Sequence, residues 1–201
     1  MKKQLIIEEI KDFVFKKTPQ DDIHGYGHTE RVYQMCIELG KKLEVNLFVL
    51  KAAALLHDIG RFSNQSNLKN KNHAEISVQI ASDFLERLKF QIRREEFENI
   101  LHCIQTHSFS NRVPPKTLEA KILSDVDKLD ALGAIGLYRT IGYTTKMKGG
   151  LKDVLEHLES KIFKLKSQLL LEITKKYAQD RLAILDQFYV EVKKELKMGK
   201  S

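Results

Sequence analysis

Residues 51–64 read KAAALLHDIGRFSN. An apolar helical run, Ala52, Ala53, Ala54, Leu55 and Leu56, ends in an imidazole and a carboxylate, His57 and Asp58. A helix of that composition belongs in a core, where polar groups at its end are costly unless something satisfies them. On either side of it, apolar residues recur at helical spacing over roughly 3–16, 28–43, 47–59, 73–89, 94–107, 117–131, 151–172 and 174–197. Breaks fall at TPQDDIHGYG, RFSNQSNLKNKN, SFSNRVPP and TTKMKGG, and the 3 prolines (Pro19, Pro114 and Pro115) all lie in them. No strand alternation of useful length and no repeat interrupts the pattern. The expected fold is therefore all-α, one helical bundle without a sheet, with ~70% helix or more.

The chain has 201 residues, 42% of them hydrophobic and 30% charged, which suffices for one domain with a sizeable core. No segment approaches the ~20 apolar residues of a membrane span. The opening MKKQLIIEEIKDF begins with two lysines like a signal peptide. Its apolar run is then broken by Glu8, Glu9, Lys11 and Asp12, so it reads as an amphipathic helix. Cys36 and Cys103 sit inside apolar helical patterns, as buried free thiols of a cytoplasmic protein do. The net charge of +7 would suit nucleic acid, a membrane surface or a small anionic substrate. No arginine-rich block and no aromatic interleaving accompanies it. Most of these lysines read as solvated surface, and neither a specific nucleic acid nor a membrane is expected as partner.

His57 and Asp58 are not alone. HGYGHTERV places His24 and His28 at the mouth of a helix continuing through Val32, Met35, Cys36 and Leu39. SDVDKLDALGAIG places Asp125, Asp127 and Asp130 around Val126, Leu129 and Leu132. Three apolar helices thus each carry acid or imidazole at one end. If those ends converge, two neutral imidazoles and two carboxylates can surround a divalent cation whose charge they balance. Mixed nitrogen and oxygen ligands suit Mn, Fe, Co, Ni or Zn, and four of them leave positions open for water and substrate. Position alone leaves His24 a rival of His28, and Asp125 and Asp130 rivals of Asp127.

The arrangement resembles the HD superfamily of metal-dependent phosphohydrolases, through His28, the adjacent pair His57 and Asp58, and Asp127 in that order. The resemblance implies that these four ligate one divalent transition metal, with Mn placed first among Mn, Fe, Co, Ni and Zn. The likeness is closer to a bacterial subgroup that includes nucleotide pyrophosphohydrolases, through NHAEIS, HSFS, EAKILSDVDKLDALGAIG and HLESKIFKLK. It implies a single HD-type domain over 1–201, with a metal-binding core over about 20–140 and carboxy-terminal helices over about 150–198. It also implies hydrolysis of a small phosphorylated metabolite, a nucleotide, at a phosphomonoester or pyrophosphate bond.

In the expected chemistry Asp58 or Asp127 accepts a hydrogen bond from the attacking water, and His73 and His107 hydrogen-bond substrate or water. Histidines in matching places bind a second metal in parts of the superfamily. Arg61, Lys128, Arg139 and Lys161 are the candidate phosphate contacts, Arg61 by its bidentate geometry and Lys128 as a point charge. Arg61 is also a departure, since some superfamily members place an acidic residue near this position. Glu75 reads either as a site carboxylate or as the capping partner of Asn72. His24 reads as an orienting residue, His102 as core or surface, and His157 as a phosphate contact beside Lys161 or a solvated residue. Two rival functions are a di-iron oxidoreductase on the same scaffold and a non-catalytic basic protein that binds nucleic acid.

Overall fold

The computed structural model describes residues 2–63, 72–88, 91–108 and 113–198. The described residues are 80% helical and contain no strand, in accord with the all-α expectation. Most of the expected RFSNQSNLKNKN break, half of SFSNRVPP, and the last residue of the expected 73–89 helix lie outside the described residues. The chain forms two compact units, Met1–Val126 and Asp127–Ser201.

The first unit is built around α3 (Leu47–Leu56), which packs against α1 (Lys2–Lys17), α2 (Tyr26–Lys42) and α5 (Arg94–Thr106). Eight of its ten residues are buried, and the small Ala52, Ala53 and Ala54 let the neighbouring helices approach. Asn46 starts it by accepting hydrogen bonds from the Phe48 and Val49 N–H groups. The same Asn46 donates through Nδ2 to the buried Glu96 of α5, which also receives Lys3 of α1 at 2.6 Å and Arg93 at 2.9 Å. One carboxylate therefore joins three helices. After α3 comes a 3-10 turn, Ile59–Phe62, packed on α4 (His73–Glu86). A Cβ on Gly60 would stand 2.5 Å from both the His73 carbonyl oxygen and the Ser77 nitrogen, so only glycine permits this approach. The Gly60 N–H donates to Ser77 Oγ at 2.9 Å.

The boundary between the units falls inside α6 (Leu118–Asp130). In the second unit, Gly133 at φ +76° opens α7 (Gly133–Lys146). Next come α8 (Leu151–Ser160), a 3-10 stretch Ile162–Gln168, and the long α9 (Glu172–Met198). Arg181 of α9 donates to the Leu129 carbonyl at 2.6 Å, and Arg139 of α7 pairs with Asp130 at 2.7 Å.

Two expectations require correction. Helical spacing did not predict α7, because this helix buries Gly133, Gly136, Thr140 and Thr144 and exposes Ile135, Tyr138, Ile141 and Tyr143. Its apolar pattern runs opposite to its burial. The expected continuous helix over 151–172 is interrupted at Lys161 (φ −128°), where α8 gives way to the 3-10 stretch.

Candidate metal centre

Four helix ends in the first unit deliver the polar residues. Before α2, Asp21 Oδ1 accepts the N–H groups of Ile23, His24 and Gly25, each at 3.0 Å. That turn sets His28 in the first helical turn of α2, fully buried. His57 caps the end of α3, and its Nδ1–H donates to the Ala54 carbonyl at 2.8 Å. A carbonyl can only accept, so the His57 Nε2 lone pair points inward. It faces His28 Nε2 at 3.2 Å, and Asp58 Oδ2 lies 3.7 Å from each of these two nitrogens. Ligands at right angles on one ion, each about 2.1 Å away, stand about 3.0 Å apart. The two imidazoles have that spacing.

A second cluster shares the same carboxylate. Asn72 caps α4, accepting the Glu75 N–H at 3.0 Å, and His73 is the helix's first residue. His107 caps the end of α5, donates from Nδ1 to the Ile104 carbonyl at 2.6 Å, and its own carbonyl accepts from Ser124 Oγ. Asp58 Oδ1 then lies 3.6 Å from His73 Nε2 and 3.3 Å from His107 Nε2. Among the described residues, neither Asp58 Oδ1 nor His107 Nε2 completes a hydrogen bond of good geometry, although both are buried. Such orphans are rare in native interiors and mark a missing partner. Among the described residues two groups can hold a cation: His28, His57 and Asp58, and Asp58, His73 and His107. The donor set fits a divalent transition metal.

Arg61, on the 3-10 turn, donates from Nε to Asp58 Oδ2 and from Nη2 to His73 Nε2 at 3.1 Å. Burial pushes the Asp58 carboxyl up, but its neighbours His57, the Arg61 guanidinium and His107 outweigh it and hold the group well below the usual carboxylate range. Asp58 is thus an anion at neutral pH.

The remaining candidates divide between the two units. Asp125 is buried in the first unit, while Asp127, half-buried, opens the second. Asp130 is taken up by Arg139, which gives that arginine a structural use. Lys128 is buried and Lys161 is exposed at the end of α8. His157 lies edge-on to Tyr143, and burial and Lys161 depress its pKa. His24 stays in the Asp21 turn. His102 Nε2 accepts the Lys116 N–H at 2.9 Å, and burial and Lys116 keep its pKa low, so it supports a loop. Glu75 contributes its backbone N–H to the Asn72 cap and leaves its side chain exposed. Sequence reasoning missed Ser77 and Ser124, which hold the turn at Gly60 and the carbonyl of His107. Isolated serines in helical segments carry no signal of such tasks.

A family model described as the HD domain matches residues 25–132. The uncharacterized protein YpgQ of Bacillus subtilis (strain 168) is 26% identical over 205 residues, covering 98% of this chain and 96% of that one. The crystal structure of YpgQ in complex with ADP superposes with a TM-score of 0.78 at 23% identity, covering 97% of each chain. An HD-superfamily hydrolase from Bacillus thuringiensis is 30% identical with a TM-score of 0.72, covering 97% of this chain and 98% of that one.

Proposed function

The chain belongs to the HD domain family, and from that premise we propose that it is a metal-dependent hydrolase of a small phosphorylated metabolite, a nucleotide cleaved at a phosphomonoester or pyrophosphate bond. The observation that carries this reading is the pair of buried histidine clusters on one ionised carboxylate, with Asp58 Oδ1 and His107 Nε2 still unsatisfied. His28 Nε2, His57 Nε2 and Asp58 would hold the metal, and the motif match adds Asp127 as a further ligand. When bound, a divalent metal lowers the pKa of water and polarises a phosphoryl oxygen.

The chain's own residues do the rest. The Ala54 and Ile104 carbonyls fix the tautomers of His57 and His107, so that each offers a lone pair inward. Asp58 and His107 can accept a proton or a hydrogen bond from the attacking water. Arg61, with its side chain 32% exposed beside the carboxylate, brings positive charge to the developing phosphoryl charge. Lys128 and Lys161 of the second unit are phosphate contacts on the motif match. YpgQ was crystallised with ADP, so ADP belongs in the substrate panel.

The test is direct. Chain stripped with a chelator and reloaded with Mn2+ should release phosphate or pyrophosphate from nucleoside di- or triphosphates, and Asp58→Ala should lose metal and hydrolysis together. Full hydrolysis by Asp58→Ala, or no hydrolysis of any nucleotide with Mn, Fe, Co, Ni or Zn, would overturn the reading.

A further inference from the structure

The two histidine clusters are not equivalent with respect to Arg61. Its Nε–H donates to Asp58 Oδ2, and its Nη2–H to His73 Nε2 at 3.1 Å. A carboxylate oxygen has more than one lone pair, so Oδ2 can accept from Arg61 and still face His28 and His57. An imidazole nitrogen has a single lone pair. His73 Nε2 lies 3.6 Å from Asp58 Oδ1 and is the nitrogen that a cation in the Asp58–His73–His107 cluster would have to use. That lone pair is spent on the guanidinium. Arginine does not deprotonate, so the guanidinium remains a donor to this nitrogen at any working pH.

Resting on the reading that His28, His57 and Asp58 hold a metal, we propose that the guanidinium of Arg61 is the built-in cation of the Asp58–His73–His107 cluster and restricts this chain to one divalent ion. Arg61 is then a specificity-determining residue for metal number. Its removal should turn a latent histidine cluster into a second metal site.

The experiment counts ions on the full chain, stripped and then dialysed against excess Mn2+, by elemental analysis against protein concentration. Wild type should hold about one ion per chain, and Arg61→Ala and Arg61→Gln about two, since a neutral residue frees the lone pair. Circular dichroism melting shows which variants are folded. The double variant R61A/H73A should return to about one ion, because the added site needs His73. Wild type binding no ion would overturn the metal reading itself. Wild type binding two ions would overturn the present inference alone, a result that needs no variant. So would folded variants that stay at one ion, or a second ion that survives in R61A/H73A.

Discussion

At Asp58 two oxygens of one carboxylate face different partners, Oδ2 toward His28, His57 and Arg61, and Oδ1 toward His73 and His107. Asp127 and Asp130, three residues apart on α6, are expected to separate in function. Asp127→Ala should weaken Mn2+ binding by ~100-fold or more, since partners of ligands alone are worth 10–100-fold. Asp130→Ala removes the carboxylate of a largely buried Arg139 and should cost roughly 1–3 kcal/mol of stability while leaving Mn2+ binding unchanged. Titration calorimetry with Mn2+ and thermal melts on both variants check this. Metal loss in Asp130→Ala with full binding in Asp127→Ala would reverse the assignment. The pair HisAsp was legible in the sequence because two polar residues ended a fully apolar helix. The pairing of Arg61 with Asp58 was not, since an arginine three residues on reads equally well as a phosphate contact.

Between residues and elements the decisive contact is the approach of the 3-10 turn to α4. Gly60→Ala would force the turn off the His73 carbonyl and the Ser77 nitrogen, both backbone atoms that cannot rotate away. We expect a loss of about 1–3 kcal/mol, as for other overpacked sites, and weaker Mn2+ binding, because Asp58 and Arg61 flank the turn. A melting temperature unchanged from wild type would sink this. Glu96 joins α1, α5 and the cap of α3, and its pKa is lowered to about 2, foremost by the hydrogen bond from Arg93. A carboxyl depressed in the folded state stabilises above its ordinary value of 4.5 and loses that contribution as pH falls toward 2. Lys3 and Arg93 are solvent-exposed, so screening limits the contribution to about 1–2 kcal/mol. Urea unfolding of Glu96→Gln should show that deficit at pH 7, shrinking toward zero by about pH 2 as wild type protonates. A deficit independent of pH would assign the loss to packing. Most helices were visible as apolar periodicity, whereas α7 was hidden because glycines and threonines form its buried face.

For the molecule as a whole, a metal that binds only the folded chain should raise its stability by about 2.7 kcal/mol at a hundredfold excess over Kd. In a chain of this length that is a rise of ~5–10 °C in Tm. Calorimetry with Mn2+ should show the shift in wild type, its reversal by chelator and its absence in Asp58→Ala. An equal shift in Asp58→Ala would mean that Mn2+ binds elsewhere. Among the described residues no helix is long and apolar enough to cross a membrane, consistent with the modest length of every apolar run. The sequence by itself determined the all-α class, the burial of α3, and the presence of imidazole and carboxylate at several helix ends, because periodicity and composition are local properties of the chain. Only the tertiary structure decided that His73 and His107 share Asp58 with His28 and His57, that Arg61 lies across the carboxylate, and that Arg139 belongs to Asp130. Those facts depend on which helix ends meet, and that is set by packing between segments many residues apart, which no local pattern records.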